Sequence, residues 1–144
     1  MEIVQNLERV LMPHFQSIRD GLSADFPELE HRVYSNSGGD LTPHPWHVMG
    51  VSCLLHRDWD NPPNEVMLMV AVLSLKHRPT IEAYVMWDDI MTSVGRVFPR
   101  RVPFSAEAVV RVEKALPALV EVLKGEVRRG KPPAGLARVR TFRA

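Results

Sequence analysis

The sequence predicts a two-layer α+β domain, in which an antiparallel sheet of four or five strands is flanked by an N-terminal and a C-terminal helix. Apolar residues recur at helical spacing at both ends of the chain, and the middle carries apolar runs of strand length. The loops between these runs are short, so neighbouring strands pair antiparallel, because a parallel pair needs a longer crossover. We assign residues 1–130 to this single domain and residues 131–144 to a basic tail that we expect to be mobile.

The first helix is predicted over residues 2–22. Its apolar residues fall on one face at intervals of 4, 3, 1, 4, 3 and 4: Ile3, Leu7, Val10, Leu11, Phe15, Ile18 and Leu22. Pro13 lies inside this pattern and removes a backbone donor. Because the apolar stripe continues in phase beyond Pro13, we expect a kink there rather than an end.

The strands are predicted from runs rich in apolar and β-branched residues that are bounded by turn-forming residues. They span 29–37, 46–55, 66–75 and 80–87, with a further edge strand within 90–98. The segment 99–104 contains two prolines, which cannot donate to a sheet, and we expect it to stop the sheet.

The second helix is predicted to begin after Ser105, a good N-cap residue, and to run to about Arg128. Its apolar stripe is Val109, Val112, Leu116, Leu119, Val120, Leu123 and Val127. Pro117 is expected to kink it, and Gly130 ends it in the manner typical of a C-terminal glycine.

The strand at 66–75 is apolar at both odd and even positions, although a strand with one solvated face should alternate. Both faces of the sheet therefore need cover. Either the helices lie on opposite faces, or both lie on one face and a second molecule covers the other. We expect the second arrangement, with a homodimer or another protein partner on an interaction face of Met49, Val51, Met67, Met69 and Leu73.

Candidate catalytic chemistry is sparse. His56, Asp58 and Asp60 alternate in an extended segment and could converge on a divalent ion, but they also suit a turn. We interpret His44 and His47 as loop histidines, and the lone Cys53 as a core residue unless His47 or His56 approaches it. We assign no catalytic residue and expect no cofactor. A small metal-dependent or cysteine enzyme using residues 44–60 is the alternative.

The net charge of +1 argues against a strongly cationic nucleic-acid binder. Basic residues nevertheless concentrate at the C-terminus: Arg128, Arg129, Lys131, Arg138, Arg140 and Arg143. Because such a cluster can bind nucleic acid through its phosphates, a nucleic-acid accessory protein is a further alternative.

The sequence has no apolar run long enough for a transmembrane helix and no signal peptide, so we expect a cytoplasmic protein without membrane contact. Its single cysteine excludes an internal disulfide. The preferred interpretation is a non-catalytic interaction module, such as a small adaptor, a chaperone or an immunity-type protein.

Overall fold

The computed structural model describes residues 2–38, 46–55, 65–75, 78–87, 92–94 and 98–131. The elements follow the predicted order of helix, antiparallel strands and helix. They are α1 (Glu2–Asp25), β1 (Glu30–Ser37), β2 (Trp46–Leu54), β3 (Glu65–Leu73), β4 (Thr80–Trp87), β5 (Thr92–Val94), β6 (Val102–Pro103) and α2 (Ala106–Arg129).

The sheet has the spatial order β1-β2-β3-β4-β5, and every described pairing is antiparallel. Sequence order and spatial order coincide for these five strands, as short loops require, and the sixth strand, β6, also pairs with β4. The segment 99–104 does not stop the sheet, contrary to expectation, because Val102–Pro103 pairs with the start of β4. Pro103 is tolerated at this edge position, and the Phe104 N–H donates to the Pro79 carbonyl at 2.9 Å.

Both helices continue through their internal prolines, Pro13 and Pro117, without ending there. Ser105 caps α2, since its side chain accepts a hydrogen bond from the Ala108 N–H at 3.0 Å. Gly130 ends α2 with a left-handed φ of 78°, a conformation that glycine adopts without steric cost. The caps therefore lie where the sequence predicts them.

Both helices lie on the same face of the sheet. Ser35 of β1 bonds to Glu8 of α1, and Trp87 of β4 bonds to Glu126 of α2. The strand register places the Ser35 and Trp87 side chains on one face. Of the two arrangements that the sequence allows, the structure therefore has the one-sided arrangement.

The two helices run parallel to each other. His14 of α1 lies 2.9 Å from Glu113 of α2, and at the C-terminal end of α1 Asp25 lies 2.8 Å from Lys124. The ammonium of Lys124 lowers the pKa of the Asp25 carboxyl through a hydrogen bond and its charge. These contacts fix the helices side by side over the sheet.

The core lies between this helix pair and the covered face of the sheet. From the helices, Leu7, Leu11, Phe15, Val112, Leu116, Leu119 and Leu123 are buried, as the apolar stripes predict. Ile3, Ile18 and Val109 pack half-buried against them. From the sheet, the core receives Met49, Val51, Val66, Leu68, Val70, Ile81, Val85 and Trp87 among others.

Candidate functional site

The sheet face opposite the helices, which we call the open face, is largely apolar. Its apolar and aromatic side chains are Tyr34, Trp46, Val48, Leu54, Met67, Met69, Ala71, Leu73, Tyr84 and Met86, and they extend over all four long strands. Leu54, Ala71 and Met86 are buried and the others are half-buried. A solvated face of an antiparallel sheet would carry polar side chains at these positions.

The predicted interaction face is not one surface, and that prediction is corrected. Met49 and Val51 are buried in the core under the helices, whereas Met67, Met69 and Leu73 lie on the open face. The reason is the register between β2 and β3, which pairs Met49 with Val70 and therefore places β2 and β3 residues of the same parity on opposite faces.

Tyr34 crosses the open face above Gly50. Its hydroxyl donates to the Leu68 carbonyl at 3.1 Å, two strands away from its own. Gly50 permits this approach, because a Cβ there would overlap the Leu68 carbonyl oxygen and touch the Tyr34 hydroxyl. Burial raises the pKa of Tyr34, so its phenol stays protonated. The centre of the open face therefore has a fixed shape.

The charged residues of β1 and β3 on the open face lie at one end of it. Arg32 of β1 lies 3.5 Å from Glu65 of β3 and 3.7 Å from Glu30 of its own strand. The apolar centre, with Met69 opposite Gly50 and Tyr84, lies next to this ionic rim. Such an apolar centre with a polar rim is typical of protein interfaces.

Cys53 is fully buried on the face of the sheet that the helices cover. Its partner is His31, whose Nδ1 lies 3.3 Å from Sγ, and not His47 as considered from the sequence. The His31 Nε2 donates to the Phe26 carbonyl at 2.8 Å, so Nδ1 is the acceptor for the thiol. Burial raises the pKa of Cys53 to about 12, which leaves a protonated, unreactive thiol.

His47 is a buried strand residue, not the loop histidine that we expected. It is 3% exposed and lies between two serines of β1: Nε2 is 2.7 Å from Ser35 Oγ, and Nδ1 is 2.9 Å from Ser37 Oγ. Ser35 Oγ in turn donates to Glu8 Oε2 at 2.6 Å. We call this chain of four side chains the Ser37–Glu8 relay. The alternation of Ser35 and Ser37 indicated that the two serines share a face of β1, but nothing in the sequence placed His47 or Glu8 beside them.

The remaining metal candidates are not tested by the structure. His44, His56, Asp58 and Asp60 lie outside the described residues. Within the part of the chain that is described, no group of three or more His, Cys, Asp or Glu side chains could hold a metal ion.

The basic cluster is partly engaged in contacts. The Arg128 guanidinium lies 5.9 Å from the centre of the Phe26 ring, and Arg129 lies 3.3 Å from Glu126. Lys131 is exposed, while Arg138, Arg140 and Arg143 lie outside the described residues. Binding of nucleic acid by this cluster stays a prediction.

A second apolar surface lies between the N-terminal halves of the helices. It is a groove of about 470 Å³ lined by Val10, Phe104, Val109 and Val110 among others. Val110, at 44% exposed, is the most open large apolar side chain of the described residues. This groove is therefore an apolar surface on the helix side of the molecule, separate from the open face.

No protein-family model, curated protein or solved structure matches this chain. Among the described residues, no helix is both long enough and apolar enough to cross a membrane.

Proposed function

We propose that this protein is an interaction module whose open face binds a second copy of the same chain, so that two sheets pack face to face. The observation that carries the proposal is the placement of both helices on one side of the sheet, which leaves Met67 and Met69 at the centre of the other side. Flexible thioether side chains suit a surface that must adapt to another surface.

The size of the open face agrees with a dimer. Its four long strands have eight or nine residues each. At about 4.8 Å between strands and about 3.4 Å per residue, the flat area is on the order of 500 Å² per chain. Two such faces, with their side-chain relief, approach the roughly 1,200–2,000 Å² of a stable interface.

The charge of the face also permits self-association. Because Arg32 lies close to both Glu65 and Glu30, the ionic rim carries charges of both signs, and Glu82 of β4 adds one further carboxylate to the face away from this rim. Two copies related by a two-fold axis present the same patch to each other, so a strongly single-signed rim would repel itself. In the proposed dimer the two sheets would pack face to face about 10 Å apart, with their side chains interdigitating.

The test is sedimentation of the protein from about 1 to 100 μM, alone and as the double variant Met67→Asp, Met69→Asp. The wild type should sediment as a dimer and the variant as a folded monomer, because an unpaired carboxylate in an apolar interface costs several kcal/mol. Val110→Asp in the groove between the helices is the matched control and should remain a dimer.

Two results would overturn the proposal. A wild type that stays monomeric at 100 μM would exclude self-association in the tested range. A dimer that dissociates with Val110→Asp but persists with the folded double variant would move the interface to the helix layer. Circular dichroism and thermal melts of each variant show whether it has kept its fold.

A further inference from the structure

We propose that Ser37 is a nucleophile that His47 activates, and that it takes an acyl or phosphonyl group from an activated donor. The inference is independent of dimer formation. It rests on the Ser37–Glu8 relay, whose four side chains come from α1, β1 and β2 and form three consecutive hydrogen bonds.

The direction of every proton in the relay follows from the ability of each group to donate. The Glu8 carboxylate only accepts, so the single Ser35 hydroxyl proton is given to it. Ser35 Oγ must then accept from His47, which places the imidazole proton on Nε2. Nδ1 is consequently the unprotonated nitrogen, and it accepts the hydroxyl proton of Ser37 at 2.9 Å.

This polarity is the one that a nucleophilic serine requires. A base accepts the serine proton, and a further group orients the base and stabilises the cation that forms. When Nδ1 takes the proton of Ser37, the resulting imidazolium still donates from Nε2 to Ser35, which remains bonded to the negative Glu8. Ser35 and Glu8 thus act as positioning residues, and His47 is the base.

Ser37 and His47 differ in exposure. His47 is buried, whereas Ser37 is exposed at the end of the edge strand β1, where an external donor can reach it. Burial lowers the pKa of His47, so the imidazole is neutral and able to accept a proton at pH 7.

The expected reaction is a single transfer. Ser37 Oγ forms a bond to the carbonyl carbon or phosphorus of the donor, and the Ser37 hydroxyl proton passes to His47 Nδ1. The bond between that atom and the leaving group breaks, and the leaving group departs with both bonding electrons. The neighbouring Gly38 N–H donates to the Trp46 carbonyl at 2.6 Å and is not available to stabilise an oxyanion. We therefore expect reaction with intrinsically reactive donors, without fast turnover.

The experiment is labelling of the full-length protein with an alkyl fluorophosphonate at pH 8, followed by intact-mass and peptide mass spectrometry. One phosphonyl group should be found on Ser37 as fluoride leaves. Ser37→Ala should abolish the label, while Ser23→Ala, which removes an exposed serine of α1, should leave it unchanged. His47→Gln should slow labelling by about 100-fold or more.

Two further measurements distinguish a loss of serine activation from a loss of the fold. Ser35→Ala leaves His47 and Ser37 in place, and it should shift the pH at which the labelling rate is half-maximal. The wild type treated with the reagent in denaturant should remain unlabelled, because a serine without its histidine partner is not activated. No label on the folded protein, a label on another residue, or a label retained by Ser37→Ala would overturn the proposal.

Discussion

The hydrogen bond between Trp87 and Glu126 anchors α2 to the sheet, and its removal should be costly. Trp87 is fully buried, and its Nε1–H donates to Glu126 Oε1 at 2.9 Å. Glu126→Ala leaves this donor without its acceptor in a site closed to water. A hydrogen bond to a charged group is worth about 1.5–3 kcal/mol, whereas the half-exposed Arg129 pair adds at most about 0.5 kcal/mol.

We therefore expect Glu126→Ala to lower the free energy of unfolding by about 2–3 kcal/mol. Glu126→Gln keeps an oxygen that can accept from the indole, and it should lose about 1 kcal/mol. Glu121→Ala, an exposed position on the same helix, should change stability by less than about 0.5 kcal/mol.

The assay is urea denaturation followed by circular dichroism, combined in a double-mutant cycle with Trp87→Phe. The coupling energy between Trp87 and Glu126 should be about 1.5 kcal/mol or more, because each single change already breaks the bond. Equal losses in Glu126→Ala and Glu126→Gln, together with a coupling near zero, would refute the placement of α2 against Trp87.

Further predictions concern the core, the relay and the open face. Leu116→Ala, at a site 3% exposed, should lose about 2–5 kcal/mol in denaturation, while Val110→Ala on the same helix should lose far less; equal losses would contradict the orientation of α2. Burial lowers the pKa of the His47 imidazole below its ordinary value of 6.5, so on acidification the unfolded chain binds a proton at His47 before the folded chain does. The contribution of His47 to the free energy of unfolding is therefore complete above pH 6.5 and decreases as the pH falls below it. Unfolding measured from pH 7.5 to 5.5 should show a smaller decline in His47→Gln than in the wild type, and an identical decline would exclude this contribution. Gly50→Ala should lower the free energy of unfolding by about 1–3 kcal/mol, because the new Cβ overlaps a backbone carbonyl of β3. The control Gly21→Ala in α1, where the space around the Cβ is open, should raise it by about 0.5–1 kcal/mol. A Gly50→Ala variant as stable as the wild type would argue against the close approach of β2 and β3 at this point.

Part of the site was predictable, and the missing part has an identifiable cause. An apolar face centred on Met67 and Met69 followed from the unbroken apolar run of β3. Met49 and Val51 were wrongly added to it, because the sequence of a single strand does not determine its register with the next strand. A shift of the register by one residue exchanges the two faces, and β3 is apolar on both, so its hydrophobicity could not decide between them.

The Ser37–Glu8 relay and the contact between Cys53 and His31 show the same limit at the level of single side chains. Each joins residues of different elements, and each depends on the β1–β2 register, which pairs Ser37 with His47 and His31 with Cys53. The sequence offered His47 and His56 as partners that could approach the thiol across strands, but nothing in it placed either of them.

The sequence by itself determined the two helices, the strands β1 to β5 and their order, but not the short strand β6. Helical periodicity, the Ser105 and Gly130 caps and short loops are local properties, and local backbone energetics act on them directly. The tertiary structure alone decided that both helices share one face, which strand residues that face buries, and that His47 lies between two serines. These outcomes depend on the packing of segments far apart in the chain, where one register and one helix placement are selected by the fit of all side chains at once.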